Sequence, residues 1–307
     1  ANMDDLDDDG IVNDKDNCKS TPNPDQMDTD RDGIGDVCES NGEKLYFPHV
    51  ASNIKWESEI AIINKSSQRL SGTINAYDNR GIKLSQKHLT LSGHGRRALI
   101  IGNEFSNTRD IGYIIFSGNS PSLCGYTKFY IDSLYRVAVP AVQEINTGDI
   151  YVPHIASNNK WWTGLALVNT TDSEKTLNIN FSTGQTKQVV MSPGEHMSFN
   201  IKSLFGGTSR PDIESAEITG GSGIIGLELF SGATTLSGVL LKDETTDVLY
   251  FPHVASNDKW WTGIAAYNPS TSNSSLTVTP YTESGSVLDA LSVDIAAGDK
   301  YLGNAKG

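Results

Sequence analysis

Two short acidic phrases near the N-terminus place carboxylates at alternate positions. The first reads Asp5-x-Asp7-x-Asp9-Gly10 and the second Asp28-x-Asp30-x-Asp32-Gly33, each with a further acid at position 12, Asp16 or Glu39. Alternate residues of a tightly turning loop point the same way, and glycine at position 6 permits the turn because it lacks a Cβ. The clustered hard oxygens of such a loop are the ligands that Ca²⁺ takes at about 2.3–2.6 Å.

The spacing is that of an EF-hand loop, in which position 7 adds its backbone carbonyl. Ile11 and Ile34 occupy position 7 here. Helices are not expected on either side, because Pro22 and Pro24 interrupt the segment and it has no apolar period of 3.6 residues. Without a metal the segment has nothing from which to form a core.

The stretch from about residue 4 to 39 resembles a thrombospondin type 3 repeat. Besides the two acidic phrases, the resemblance rests on Asp16-Asn17-Cys18, Asn23-x-x-Gln26 and Asp32-Gly33-x-Gly35-Asp36-x-Cys38. It implies calcium binding and a disulfide between Cys18 and Cys38, hence an oxidising compartment. The side-chain ligands that it implies are Asp5, Asp7, Asp9, Asp16, Asp28, Asp30, Asp32 and Glu39. Asn13 stands where the family often has Asp, and Lys19 where Pro is common.

The negative charge of the chain is concentrated in this segment. Residues 1–42 hold twelve Asp and one Glu against two Lys and one Arg, which is −10 of the total of −13. A block of like charge is usually a disordered, solvated tail, and the regular spacing favours a metal site over that alternative. Nucleic-acid binding is not expected, since it requires a basic surface. No apolar run reaches the ~20 residues of a membrane span.

A phrase of ten residues is written three times in the remaining chain. It begins at Tyr46, Tyr151 and Tyr250, reads Tyr-(Phe/Val)-Pro-His-(Val/Ile)-Ala-Ser-Asn, and continues after one variable residue with Lys-Trp. We call it the heading phrase. Its recurrence predicts domain-sized repeats: a calcium-binding segment at 1–42, copy 1 at 43–148, copy 2 at 149–247 and a partial copy 3 at 248–307.

Each heading phrase is followed by short segments in which apolar and polar residues alternate. Ile60 and Ile62 in copy 1 correspond to Leu165 and Leu167 in copy 2, and turn signals recur every 8–12 residues. We predict an all-β protein of tandem, immunoglobulin-like β-sandwich repeats preceded by the irregular calcium-binding segment. The alternative is that all copies close into one propeller-like or prism-like body, which the unequal repeats and the half-length third copy disfavour.

The heading phrase has two interpretations. Its histidine and tryptophan could form a sugar-binding site in each copy, or the phrase could be a framework in which His bonds to neighbouring backbone and Trp fills the core. Its presence in every copy favours the framework. The position after the shared Trp is Glu57, Trp162 or Trp261. Free exchange of Trp for Glu indicates a surface position, so Trp162 and Trp261 form a candidate ligand patch.

Catalysis has little support in the sequence. We find no nucleophile elbow, zincin motif, phosphate-binding loop or dinucleotide fingerprint, and we expect a protein that is not an enzyme. Cys124 aligns with Ile225 of copy 2, so we expect a buried, inert thiol.

The expected role is that of a secreted or cell-surface calcium-binding protein, acting in adhesion, in matrix contact or as a calcium-stiffened spacer. Its candidate partners are calcium and either a polysaccharide or another cell-surface protein. The alternative is a carbohydrate-binding region of a larger polysaccharide-active enzyme.

Overall fold

The computed structural model describes residues 4–19, 22–27, 35, 43–120, 122–131, 135–232, 235–257 and 261–305. From residue 43 onward it is nearly all β, in antiparallel sheets, which confirms the predicted fold class. Its helical elements are short and lie at Ile101–Glu104, Thr108–Asp110 and Ile201–Phe205. In this described part of the chain, every helix is too short to cross a membrane.

Copy 1 is built from two four-stranded sheets. Their strand orders are β1-β6-β3-β4 and β5-β2-β7-β8. The strands are β1 (Lys44–Phe47), β2 (Trp56–Asn64), β3 (Leu70–Tyr77), β4 (Lys83–Leu91), β5 (Arg96–Ile100), β6 (Tyr113–Gly118), β7 (Leu123–Ile131) and β8 (Tyr135–Pro140).

The two sheets of copy 1 share one buried core. Phe47, Ile74 and Phe116 enter it from one sheet, and Ile62 and Leu123 enter it from the other. All five are 0–1% exposed, and each such side chain stabilises the fold by about 1.5–3 kcal/mol relative to exposure. The apolar residues that alternate with polar ones in the sequence are therefore those that point into the core from each strand.

Copy 2 repeats this arrangement with its own core around Leu167, Ile179 and Ile218. Its sheets have the orders β12-β11-β14-β9 and β13-β10-β15-β16, the same as in copy 1 when the strands are counted from the heading phrase. Its strands are β9 (Ile150–Val152), β10 (Trp162–Asn169), β11 (Lys175–Phe181), β12 (Thr186–Met191), β13 (His196–Asn200), β14 (Ala216–Thr219), β15 (Ile224–Ser231) and β16 (Leu236–Leu240). The immunoglobulin-like classification and the domain boundaries stay predictions.

In its described residues, copy 3 contains the equivalents of the second to fifth strands. They are β17 (Gly263–Tyr267), β18 (Ser274–Val278), β19 (Leu291–Ile295) and β20 (Lys300–Asn304). β17 pairs with β20 and β18 with β19, as β2 pairs with β5 and β3 with β4. Among the described residues, no strand pairs with the other edges of β17 and β18. Tyr250 is consequently 87% exposed, whereas its equivalent Tyr46, which pairs with β6, is 8% exposed.

Local hydrogen bonds explain why the heading phrase recurs. The side-chain oxygen of Asn53 accepts from the N–H groups of Lys55 at 3.0 Å and Trp56 at 3.1 Å, which forms a tight turn before β2. Asn158 forms the same turn in copy 2. After the turn, one hydroxyl per copy accepts from the alanine N–H of the heading phrase and donates to its carbonyl. These hydroxyls belong to Ser58, Thr163 and Thr262.

The histidine of the heading phrase joins consecutive copies. His49 Nδ1 lies 3.1 Å from Nε2 of His196, the first residue of β13. His154 Nδ1 lies 3.4 Å from Nζ of Lys300, the first residue of β20 and therefore the equivalent of His196. The heading-phrase histidine therefore contacts the next copy and not, as we expected, the neighbouring backbone. We call each region of contact between consecutive copies a joint.

Apolar side chains of copy 2 fill the first joint. Ile225, Leu227 and Leu229 alternate along the outward face of β15 and are nearly completely buried. Ile225 clusters with Tyr46 of copy 1, and the two leucines cluster with Phe129 of copy 1. The outward face of β15 is thus apolar because it packs against copy 1.

The equivalent face of copy 1 is polar. The strand registers of the two copies match, so three positions of copy 1 are equivalent to three of copy 2: Tyr126 to Leu227, Lys128 to Leu229, and Glu59 to Gly164. The Glu59 carboxylate accepts from the Tyr130 hydroxyl at 2.9 Å, and its other oxygen accepts from Lys128 Nζ at 3.2 Å.

Cys124 lies on the same face, in the position of Ile225. It is a free thiol. We predicted that it would be buried, but it is only half-buried. The physical reason is that the outer face of β7 lacks the covering that copy 1 provides over β15.

Candidate calcium site

The first acidic phrase folds into a loop that brings its carboxylates together. Asp5, Asp7 and Asp9 each offer an oxygen that lies within 4.8 Å of the others. Two left-handed backbone conformations make the turn, at Asp8 with φ of 60° and at Gly10 with φ of 94°. Position 6 of the phrase is therefore glycine because an L side chain would be strained there.

One oxygen of each carboxylate is bonded to the loop backbone. Asp5 accepts from the N–H of Gly10 at 3.0 Å, Asp7 from Asp9 at 3.3 Å, and Asp9 from Ile11 at 2.8 Å. The other oxygen of Asp9 accepts from the N–H of Asn23 at 2.8 Å, which ties the loop to the next stretch of chain. These bonds fix the orientation of the three side chains within the folded loop.

Three carboxylate oxygens in this region are buried without a hydrogen-bond partner in the described structure. They are Asp5 Oδ1, Asp7 Oδ2 and Asp16 Oδ2. A buried acceptor without a hydrogen-bond partner is unfavourable, and more so when it is charged. Burial, together with the neighbouring carboxylates Asp9, Asp16 and Asp5, raises the pKa of Asp7. A cation bound by the clustered carboxylates of Asp5, Asp7 and Asp9 would relieve these penalties at Asp5 and Asp7, so the cluster fits calcium, whose ligands are hard oxygens. Asp16 lies outside this cluster.

Asp16 is held by a cluster of amide side chains. Its Oδ1 accepts from the N–H of Cys18 at 2.7 Å and from Gln26 Nε2 at 3.0 Å. Gln26 also donates to Asn23, and Asn23 donates to Asn17 at 2.7 Å. The sequence analysis used these amides only as part of the family resemblance and did not place them in the site. The sequence signal that could have indicated this cluster is the presence of three amide side chains within ten residues of the acidic segment, at positions 17, 23 and 26.

The remaining predicted site residues are placed as follows. Ile11 donates its N–H to Asp9, and the role of its carbonyl as a calcium ligand stays a prediction. Cys18 is buried. Six predicted site residues lie outside the described residues. They are the ligands of the second acidic phrase, Asp28, Asp30, Asp32, Ile34 and Glu39, and the second cysteine, Cys38. The second loop and the Cys18–Cys38 disulfide therefore stay predictions.

The structure does not bring the two residues of the candidate ligand patch together. Trp162 is half-buried in the first joint, where its ring centroid lies 6.2 Å from that of Trp56 in an edge-on contact. Trp261 is 53% exposed on copy 3. The shared Trp56, which we expected in the core, is half-buried at the joint.

Comparison with known proteins identifies the N-terminal segment. The thrombospondin type 3 repeat family matches residues 3–26 and again residues 27–42, which confirms the predicted resemblance. No curated protein matches the chain. A solved structure of a bacterial adhesin from Mobiluncus mulieris, with disulfide, isopeptide and ester cross-links, aligns at 8% identity over 81% of this chain and 90% of that chain. Its TM-score is 0.11, which is too low to support an inference about fold or function.

Proposed function

We propose that the thrombospondin type 3 segment at residues 3–42 binds calcium outside the cell and acts as a stiffened spacer ahead of the β-sheet copies, in adhesion or matrix contact. The observation that carries the proposal is the set of buried, unpartnered oxygens on Asp5 and Asp7. The family match adds support, because repeats of this type are calcium-binding. We also propose that the chain acts without catalysis.

The mechanical effect follows from charge. Residues 1–42 carry a net charge of −10 and, in their described part, no strand or helix. Such a segment repels itself and stays extended. Bound calcium would neutralise the carboxylates of Asp5, Asp7 and Asp9, and the amide cluster around Gln26 would then hold a compact conformation. Metal binding and folding of the segment are therefore expected to be coupled.

A disulfide between Cys18 and Cys38 completes the proposed segment. It would restrict the unfolded chain by roughly 3 kcal/mol in the loop-entropy treatment, and it requires an oxidising compartment. Alkylation of the unfolded, unreduced chain would then label one thiol per molecule, at Cys124.

Calcium titration of the full chain tests the proposal. Asp7→Asn removes one negative charge and one unpartnered oxygen, and we expect calcium affinity to fall at least about tenfold. Asp14→Asn removes the same charge from an exposed residue outside the alternating phrase, so it is the matched control and should bind nearly as the wild type does. Equal losses in the two variants would mean that calcium responds only to net charge, and the site would be rejected.

A further inference from the structure

A cavity of about 520 Å³ lies in the first joint, between copies 1 and 2. Its apolar wall is formed by Leu227 and Leu229 of β15. Its volume is within the range of about 300–1,000 Å³ that is typical of small-ligand sites. Neither the calcium segment nor copy 3 contributes to it, so it is independent of the site described above.

Two indole rings form one side of this cavity. Trp162 lies over the strand at Gly164, where a Cβ would come within 3.2 Å of its ring. Glycine at that position lets the ring rest on β10, and its edge-on contact with Trp56 fixes the orientation. The cavity therefore presents flat aromatic surface next to aliphatic side chains, which suits a ligand with an apolar ring face.

Hydrogen-bonding groups also line the cavity, among them Asn79, His49 and His196. Asn79 Oδ1 lies 2.8 Å from His196 Nδ1, and an amide oxygen only accepts, so that nitrogen carries the proton. Nε2 of His196 then accepts from Nδ1 of His49, which leaves Nε2 of His49 as an unprotonated acceptor. Burial supports this neutral state by lowering the pKa of His49 to about 4.

A cation stands at the rim of the cavity. Arg109 is exposed and makes no ion pair with any residue in the described ranges. Ser198 adds an exposed hydroxyl to the lining. A guanidinium that lacks a counter-ion is suited to a carboxylate, which it binds in a bidentate manner.

We propose that this joint cavity binds an acidic sugar, a uronic-acid residue of a polysaccharide. The apolar face of the sugar ring stacks on Trp162, its hydroxyl groups bond to His49 and Ser198, and its carboxylate pairs with Arg109. The proposal assigns a ligand class to the contact between copies 1 and 2, and it does not depend on calcium.

Saturation-transfer NMR on the full chain in EDTA tests the proposal, with trigalacturonate as the probe and cellotriose as the neutral comparison. We expect signal transfer from the protein to trigalacturonate. Trp162→Glu, which installs the residue that copy 1 has at this position, should weaken binding at least about tenfold, a cost of 1.4 kcal/mol or more. Trp261→Glu makes the same change on copy 3, outside the cavity, and is the matched control.

A second variant keeps the test decisive if Trp162→Glu loosens the joint. Arg109→Gln alters an exposed side chain, so the fold should be retained, and it should abolish the preference for trigalacturonate over cellotriose. The proposal is overturned if neither sugar receives saturation, if the two tryptophan variants lose binding equally, or if Arg109→Gln leaves the preference unchanged. Because EDTA removes calcium, failure here would leave the calcium proposal unaffected.

Discussion

His196 and Lys300 occupy the same structural position in consecutive copies, and each meets the heading-phrase histidine of the preceding copy. His196 contacts His49 at 3.1 Å, and Lys300 contacts His154 at 3.4 Å. The two joints thus share one geometry but differ in chemistry. The first pairs two neutral rings, and the second pairs a ring with a cation.

The first joint should weaken in acid. Burial lowers the pKa of His49 to about 4 and that of His196 to about 3, from an ordinary value of 6.5. Between pH 6.5 and 4 the unfolded chain therefore binds protons that the folded chain does not, and the free energy of unfolding falls as pH falls. The expected slope is up to about 1.4 kcal/mol per pH unit for each histidine. Denaturant unfolding between pH 7 and 5 measures it in the Glu228→Gln background, which removes the buried carboxyl group whose pH dependence has the opposite sign.

Replacing His196 isolates this effect. His196→Asn keeps a group that can donate to Asn79 and removes the titrating ring, so stability should depend less on pH than in the wild type. His94→Asn is the control, because His94 is exposed and adopts a left-handed conformation that Asn tolerates. An unchanged pH profile in His196→Asn would contradict the prediction.

Glu228 should have the opposite pH dependence. It is 0% exposed, and neither carboxylate oxygen has a partner in the described structure. Burial raises its pKa to about 8, an effect that the charge of Lys300 partly opposes. Between pH 4.5 and 8 the folded chain therefore retains a proton that the unfolded chain has lost. Stability falls as pH rises through this window, by up to about 1.4 kcal/mol per pH unit.

Glu228→Gln should accordingly be more stable than the wild type at pH 8, by an amount that shrinks towards pH 5. The physical reason is that the variant has no carboxyl group to ionise in the core of copy 2. Glu244→Gln, at an exposed position, is the control and should follow the wild type at both pH values. Thermal melting at the two pH values checks the prediction, which a constant difference between variant and wild type would refute.

Copy 3 should depend on copy 2 for its stability. The Lys300 side chain is 4% exposed, and its Nζ donates to the Glu214 carbonyl at 2.7 Å. Tyr267 contacts Tyr151 across the same joint with 6.1 Å between ring centroids. Lys300→Met removes the bond to Glu214 and leaves its carbonyl without this donor. We expect amide exchange in β17–β20 to accelerate at least about tenfold while copy 1 is unaffected.

Hydrogen exchange with mass spectrometry resolves the copies in one experiment. Lys55→Met, on the exposed turn before β2, is the control for loss of a lysine. Copy 3 expressed alone, as residues 248–307, should exchange rapidly throughout because the edges of β17 and β18 are unpaired. Full protection of that isolated piece would show that it folds without copy 2.

The sequence was informative where side chains act within one element. Alternation at Ile60 and Ile62 predicted the inward face of β2, and the acidic spacing predicted the cluster that the structure forms from Asp5, Asp7 and Asp9. Both patterns follow from backbone geometry over a few residues, so neither requires knowledge of the rest of the fold.

Contacts between copies were not predictable from the sequence. His49 and His196 are 147 residues apart, and the position of His196 holds Lys300 in copy 3, so no shared residue type marks the joint. The amide cluster around Gln26 was missed for a similar reason. Its bonds to Asp16 and Asn23 depend on how the loop folds back, and residue spacing alone does not determine this.

The polar outer face of copy 1 also determines how whole molecules can associate. Each joint brings together two different surfaces, and contacts of that kind generate open-ended filaments when every unit presents both surfaces. The exposed heading phrase around Tyr250 is one of the two surfaces. The other would have to be the face that carries Glu59 and Lys128, and burying those charges under a second chain is costly. Another copy docking on this face in the manner of the first joint would therefore have to bury charged groups that the outward face of β15 lacks.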